Sequence, residues 1–152
     1  MKTLTIWCGA LLALGLLSFA TYKKEQTLAA GETVYLKLAP VDPRSLMQGD
    51  YMVLRYEISN QLRKHELQPI GGRVILHIDP QGVATLADAE GDRPLKEGER
   101  YLAYKNRRGA VFGLESFFFQ EGKGGELAEA EYAEIRLSPD GGAILVDLVV
   151  TP

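Results

Sequence analysis

Nineteen consecutive residues without a charge, from Leu4 to Tyr22 (LTIWCGALLALGLLSFATY), constrain this chain more than any other feature. As a helix they extend about 28 Å at about 1.5 Å per residue, close to the hydrocarbon depth of a bilayer. Lys2 precedes the run and Lys23 and Lys24 follow it. Trp7 and Tyr22 stand near its two ends, where amphipathic rings settle among lipid headgroups. The pattern predicts one N-terminal transmembrane helix within residues 1–24, touching lipid through residues 4–22. A cleaved export signal is the rival reading, because Ser18-Phe19-Ala20 and Leu28-Ala29-Ala30 offer small-x-small sites. Export signals carry an apolar core of only about 7–15 residues, and this run is longer and ends in lysines. The flanking charges nearly balance, so orientation rests on a short tail staying inside while the larger domain is exported. The expected address is a single-pass protein with its domain on the extracytoplasmic side.

Residues 25–32 (EQTLAAGE) read as a linker, and residues 33–152 are enough for one domain with a single core. A composition 46% hydrophobic and 24% charged belongs to a folded chain rather than a disordered one. Seventeen basic against twenty acidic residues give a formal charge of −3, which argues against a nucleic-acid partner. The single cysteine, Cys8, lies inside the apolar run, leaving the domain no internal disulfide and no thiolate metal site. The residues ahead of it, Leu4-Thr5-Ile6-Trp7, lack the small side chains of a lipoprotein processing site.

Beyond the linker, short β-branched and aromatic runs alternate with turn formers. Strands are predicted at 33–38, 51–58, 73–79, 83–86, 100–105, 110–120, 134–137 and 143–150. Pro80-Gln81-Gly82 and the 138–142 turn (SPDGG) close two hairpins. Residues 60–66 (NQLRKHE) tolerate a helix, and 127–133 (LAEAEYA) favours one. No βαβ rhythm or fixed-period repeat is present. The predicted fold is mainly β, a small antiparallel sheet or partly closed barrel with one or two short helices, behind the transmembrane helix.

The most individual stretch is Val41 to Ile58, VDPRSLMQGDYMVLRYEI. Its Gly49-Asp50-Tyr51-Met52-Val53-Leu54-Arg55-Tyr56 fits G-D-Y-x-x-L-x-Y at every defined position. In this it resembles the GDYXXLXY family of bacterial membrane-associated proteins. The hydrophobic N-terminus, Asp42-Pro43-Arg44 and Gly113-Leu114-Glu115-Ser116-Phe117-Phe118 look similar too. The resemblance implies a protein of the bacterial cytoplasmic membrane, sometimes encoded beside a multi-pass membrane protein, and carries over no reaction. Read physically, Gly49 permits a turn and Asp50 can accept from nearby backbone amides. Leu54 and Tyr56 fall on the core side of a strand, opposite Tyr51. A turn that fixes strand register is one reading of the motif. A ligand or partner surface made by Asp42, Arg44, Asp50 and Tyr51 is the other.

Chemistry is thin elsewhere. Ser45-Leu46-Met47-Gln48-Gly49-Asp50 is faintly similar to the nucleophile region of Ser/Lys signal peptidases, but the serine stands too near the Gly-Asp pair. The later strand offers Arg73, which stays protonated and cannot act as the base. A membrane-surface serine hydrolase using Ser45 with Asp50 is therefore the alternative to a non-catalytic accessory domain. His65 and His77 lack partners at metal-ligand spacing, and no cofactor is expected. Gly122-Lys123-Gly124-Gly125 has the composition of a phosphate cradle without its strand and helix. In Phe117-Phe118-Phe119, alternation sends the middle ring away from its neighbours, either into packing on a bent sheet or toward lipid or a membrane partner. Glu126, Glu129, Glu131 and Glu134 read as a solvated helix face.

Overall fold

The computed structural model describes residues 2–40, 47–48, 51–119, 127 and 129–152. A long helix, α1 (Lys2–Ala30), precedes the strands β1 (Glu32–Lys37), β2 (Met47–Gln48) and β3 (Tyr51–Val53) and a short helix, α2 (Glu57–Leu62). Then come β4 (Gly71–Ile78), β5 (Val83–Asp88), β6 (Glu99–Asn106), β7 (Ala110–Val111) and β8 (Ser116–Phe118), and finally β9 (Tyr132–Leu137) and β10 (Ala143–Val149). Seven strands form one sheet in the order β10-β9-β1-β5-β4-β6-β7, and β2-β3-β8 form a smaller one. Every ladder is antiparallel except β1–β5, where the chain returns by a crossover.

Period-two alternation builds the core. Val34 and Leu36 of β1, Leu102 and Tyr104 of β6, and Ala133, Ile135 and Leu137 of β9 all turn inward and are buried. Met52, Leu54 and Tyr56, with Ile58 and Leu62 of α2, pack into the same cluster. Each large apolar side chain fully buried there contributes about 1.5–3 kcal/mol. The large sheet curls. In its strand order β6 lies four spacings from β9, roughly 19 Å if flat. Yet the Ala103 amide donates to the Gly141 carbonyl in the β9–β10 turn at 2.8 Å. Arg100 of β6 likewise reaches Glu32 of β1, with Nε–Oε2 at 2.6 Å.

A clamp fastens the loop between β5 and β6 to the outside of the sheet. Glu99, 6% exposed, accepts from Arg93 Nη1 at 2.6 Å, Arg93 Nη2 at 2.8 Å and the Lys96 amide at 2.8 Å. Asp88 takes Arg93 Nε at 3.0 Å, and the Tyr101 hydroxyl donates to the Arg93 carbonyl at 2.8 Å. The Arg73 guanidinium lies 4.4 Å from the centre of the Tyr101 ring.

Three expectations are corrected. The strand read over 51–58 stops at Val53. The buried alternation of Met52, Leu54 and Tyr56 holds, but Ile58 and Leu62 are buried four residues apart, the helical period, and α2 begins at Glu57. The helix read over 127–133 gives way to β9 from Tyr132, because Ala133, Ile135 and Leu137 bury with period two. The 110–120 strand is broken between β7 and β8 at Gly113, whose φ of +79° is left-handed.

The largest correction concerns the N-terminus. Among the described residues no helix is long and apolar enough to cross a membrane. Nor does α1 end with the apolar run. It continues through the segment read as a linker to Ala30, carrying Lys23, Lys24, Glu25 and Gln26. That end docks on the sheet. Lys23 Nζ lies 2.7 Å from Asp140 Oδ2, and the Gly31 carbonyl accepts from Arg136 Nη1 at 3.3 Å.

Candidate functional site

Residues 51–56, β3 with the three residues after it and called the signature strand below, are held by the segment that follows β7. The Leu54 amide donates to the Glu115 carbonyl at 2.9 Å, and the Tyr56 hydroxyl donates to the Leu114 carbonyl at 2.6 Å. Glu115 in turn accepts the amides of Phe112 at 2.6 Å and Gly113 at 2.9 Å, which fixes the loop. Phe112 meets the Tyr56 ring edge-on, at 80° and 6.2 Å between centres. Burial pushes the Tyr56 hydroxyl far above its ordinary pKa, and the Glu115 charge adds to that, so it remains a donor.

The same strand borders a cleft of about 390 Å³. Two backbone bonds shape it: Ala39 donates to the Arg55 carbonyl at 2.8 Å, and Leu38 donates to the Glu131 carbonyl at 2.9 Å. Leu38 and Ala39, just past β1, thereby sit between the signature strand and Glu131. Met52, Leu54, Leu127 and Ala130 supply an apolar lining, while Lys37, Arg55 and Glu131 stand around it. Arg55 is exposed and has no ion-pair partner among the described residues. Lys37 Nζ stands 3.6 Å from Glu57 Oε2, a loose pair.

This geometry supplies the context of the sequence motif, and a family comparison reads the same stretch. The family model described as GDYXXLXY protein matches residues 13–148. The chain belongs to the GDYXXLXY family. Comparison with curated proteins and with solved structures finds no match. The GDYXXLXY match covers α1 from its middle through β10, so the docked end of the helix, both sheets and the cleft fall within the family's span.

Of the residues expected to make a ligand or partner surface, Asp42, Arg44 and Asp50 lie outside the described residues, as does Ser45. Tyr51 is placed by its backbone, opposite Phe118 in the β3–β8 ladder. Phe117 and Phe119 pack against the core while Phe118 is 75% exposed, the division that alternation predicts. Both histidines are exposed, His65 after α2 and His77 on β4. Among the described residues no three His, Cys, Asp or Glu side chains are gathered to hold a metal. Sequence reasoning missed Lys37, Arg55 and Glu131. Arg55 alone carried a signal, since strand alternation already turned it away from the core beside Val53.

Proposed function

We propose that this GDYXXLXY protein is a non-catalytic accessory domain held at the bacterial cytoplasmic membrane beside a multi-pass membrane protein. The observation that carries this reading is the exposure of α1. Leu11, Leu12, Leu14, Leu16, Leu17, Phe19 and Tyr22 are each between 61 and 69% exposed, and they occupy every side of the helix. A helix apolar all round is stable only where apolar matter surrounds it, since a single flat partner covers one stripe and leaves the remainder in water. Lipid hydrocarbon and the helices of a multi-pass protein both meet that requirement. The docking of residues 23–31 on β9 and the β9–β10 turn supports the reading further, because it couples whatever grips α1 to the domain.

Purification of the full chain from bacterial membranes in mild detergent tests it. The expected result is one multi-pass membrane protein that co-purifies with the native chain and is lost when Leu12 and Leu16 are both changed to Glu. Elution without any membrane protein or lipid, identical for the native chain and the variant, would overturn the reading.

A further inference from the structure

We propose that the cleft between β1, the signature strand and the side formed by Leu127, Ala130 and Glu131 binds a small amphipathic anion, a short alkyl chain ending in a carboxylate or phosphate. The volume, about 390 Å³, falls within the range of about 300–1,000 Å³ typical of small-molecule sites. Its lining has the division such a ligand requires. Leu127 and Ala130, both half-buried, line the space on one side, and the buried Met52 and Leu54 form its floor beneath Arg55. These side chains suit an alkyl chain, which gains free energy by leaving water.

The polar end is set by charge. Arg55 presents a planar fork of donors matched to a carboxylate or phosphate, and no carboxylate among the described residues engages it. Lys37 lies on the same lining, and at 3.6 Å its pair with Glu57 is long enough to yield to a better partner. Glu131, on the segment opposite, repels an anionic head and so favours a single orientation, with the head between Arg55 and Lys37. The backbone frame is fixed in advance, because the bonds from Ala39 to Arg55 and from Leu38 to Glu131 tie both sides to the residues that follow β1. The ligand therefore does not have to order these sides as it binds.

The test follows the Met52 methyl group by NMR in the full chain, labelled at methionine and kept in a zwitterionic detergent, with the resonance assigned by Met52→Leu. The probes are octanoate, octanol and dihexanoylphosphatidylglycerol. Octanoate is expected to shift the Met52 signal saturably. Arg55→Gln, at an exposed position that leaves the fold intact, is expected to weaken octanoate at least tenfold while octanol is unchanged. Ala130→Trp, which fills the cleft, is expected to abolish both responses while the other methionine signals keep their dispersion. A response to the phosphatidylglycerol as well as to octanoate supports a lipid headgroup as the source of the anion, and a response to octanoate alone supports a free carboxylate. A Met52 signal indifferent to octanoate, or octanoate binding unchanged by Arg55→Gln, would overturn the proposal.

Discussion

The hydroxyl of Tyr56, last residue of the signature, donates a 2.6 Å hydrogen bond to the carbonyl of Leu114. Both residues are buried, so the bond joins two distant stretches of chain where no water can replace either partner. Tyr56→Phe leaves the Leu114 carbonyl buried without a donor and is expected to cost about 1–3 kcal/mol. Tyr56→Ala also opens a cavity and should cost about 3–5 kcal/mol. Denaturant unfolding measures both, and a Phe variant as stable as the native chain would refute the role given to the bond.

Acid should loosen the clamp between β5 and β6. The Arg93 guanidinium, helped by the Lys96 amide, holds the Glu99 carboxyl down at about 2 against an ordinary 4.5. Asp88 is also lowered, by the Glu90 amide first and by Arg93 next. A depressed carboxyl pKa stabilises the fold at pH values above the unfolded pKa, and that stabilisation disappears as pH falls through the folded one. The melting temperature is therefore expected to fall between about pH 4.5 and 2. Glu99→Gln should melt lower at pH 7 and show a flatter curve across that window. Parallel curves for the two proteins would contradict the assignment.

The contact of Lys23 with Asp140 should respond to salt. Both side chains are more than half exposed, so the pair is worth no more than about 1 kcal/mol and is screened as ionic strength rises. Lys23 and the Ser138 hydroxyl hold the Asp140 carboxyl well below the ordinary carboxylate range. Asp140→Asn is expected to speed hydrogen exchange of the amides in residues 23–31 several-fold, with the core of β9 unaffected. In the native chain 0.5 M salt should have the same local effect.

Gly91 and Gly15 should respond to alanine in opposite ways. A Cβ at Gly91 would run into the Arg73 carbonyl on β4, whereas one at Gly15 of α1 meets nothing within 4 Å. Gly91→Ala is expected to cost about 1–3 kcal/mol by forcing the loop off the sheet. Gly15→Ala, at an open helical position, should strengthen the helix by about 0.5–1 kcal/mol. Thermal unfolding reads the first, and helical circular dichroism the second.

The sheet was legible wherever one face is buried, because burial writes a period of two into the residues. Val34 with Leu36 and Ala133 with Ile135 are clear cases. It was illegible where a local preference opposed burial: 127–133 is rich in Ala, Glu and Leu, but the pull of the core on Ala133 and Ile135 outweighs that preference. The helical reach of α1 past Tyr22 was hidden for a different reason. Lys23 to Ala30 is polar to small, and the partners Asp140 of Lys23 and Arg136 of Gly31, more than a hundred residues later, show why it continues as a docked helix. The cleft was hidden in the same way, since Lys37, Arg55 and Glu131 meet only through cross-strand pairing. Arg55's outward direction could be read in advance, but its neighbours could not.

Flotation of the full chain with phospholipid vesicles tests most directly whether apolar surroundings cover α1. The native chain is expected to rise with the vesicles, and a variant with Leu11, Leu12, Leu16 and Leu17 changed to Gln is expected to remain at the bottom with its sheet intact by circular dichroism. A native chain that stays at the bottom, or a variant that floats equally well, would contradict the account.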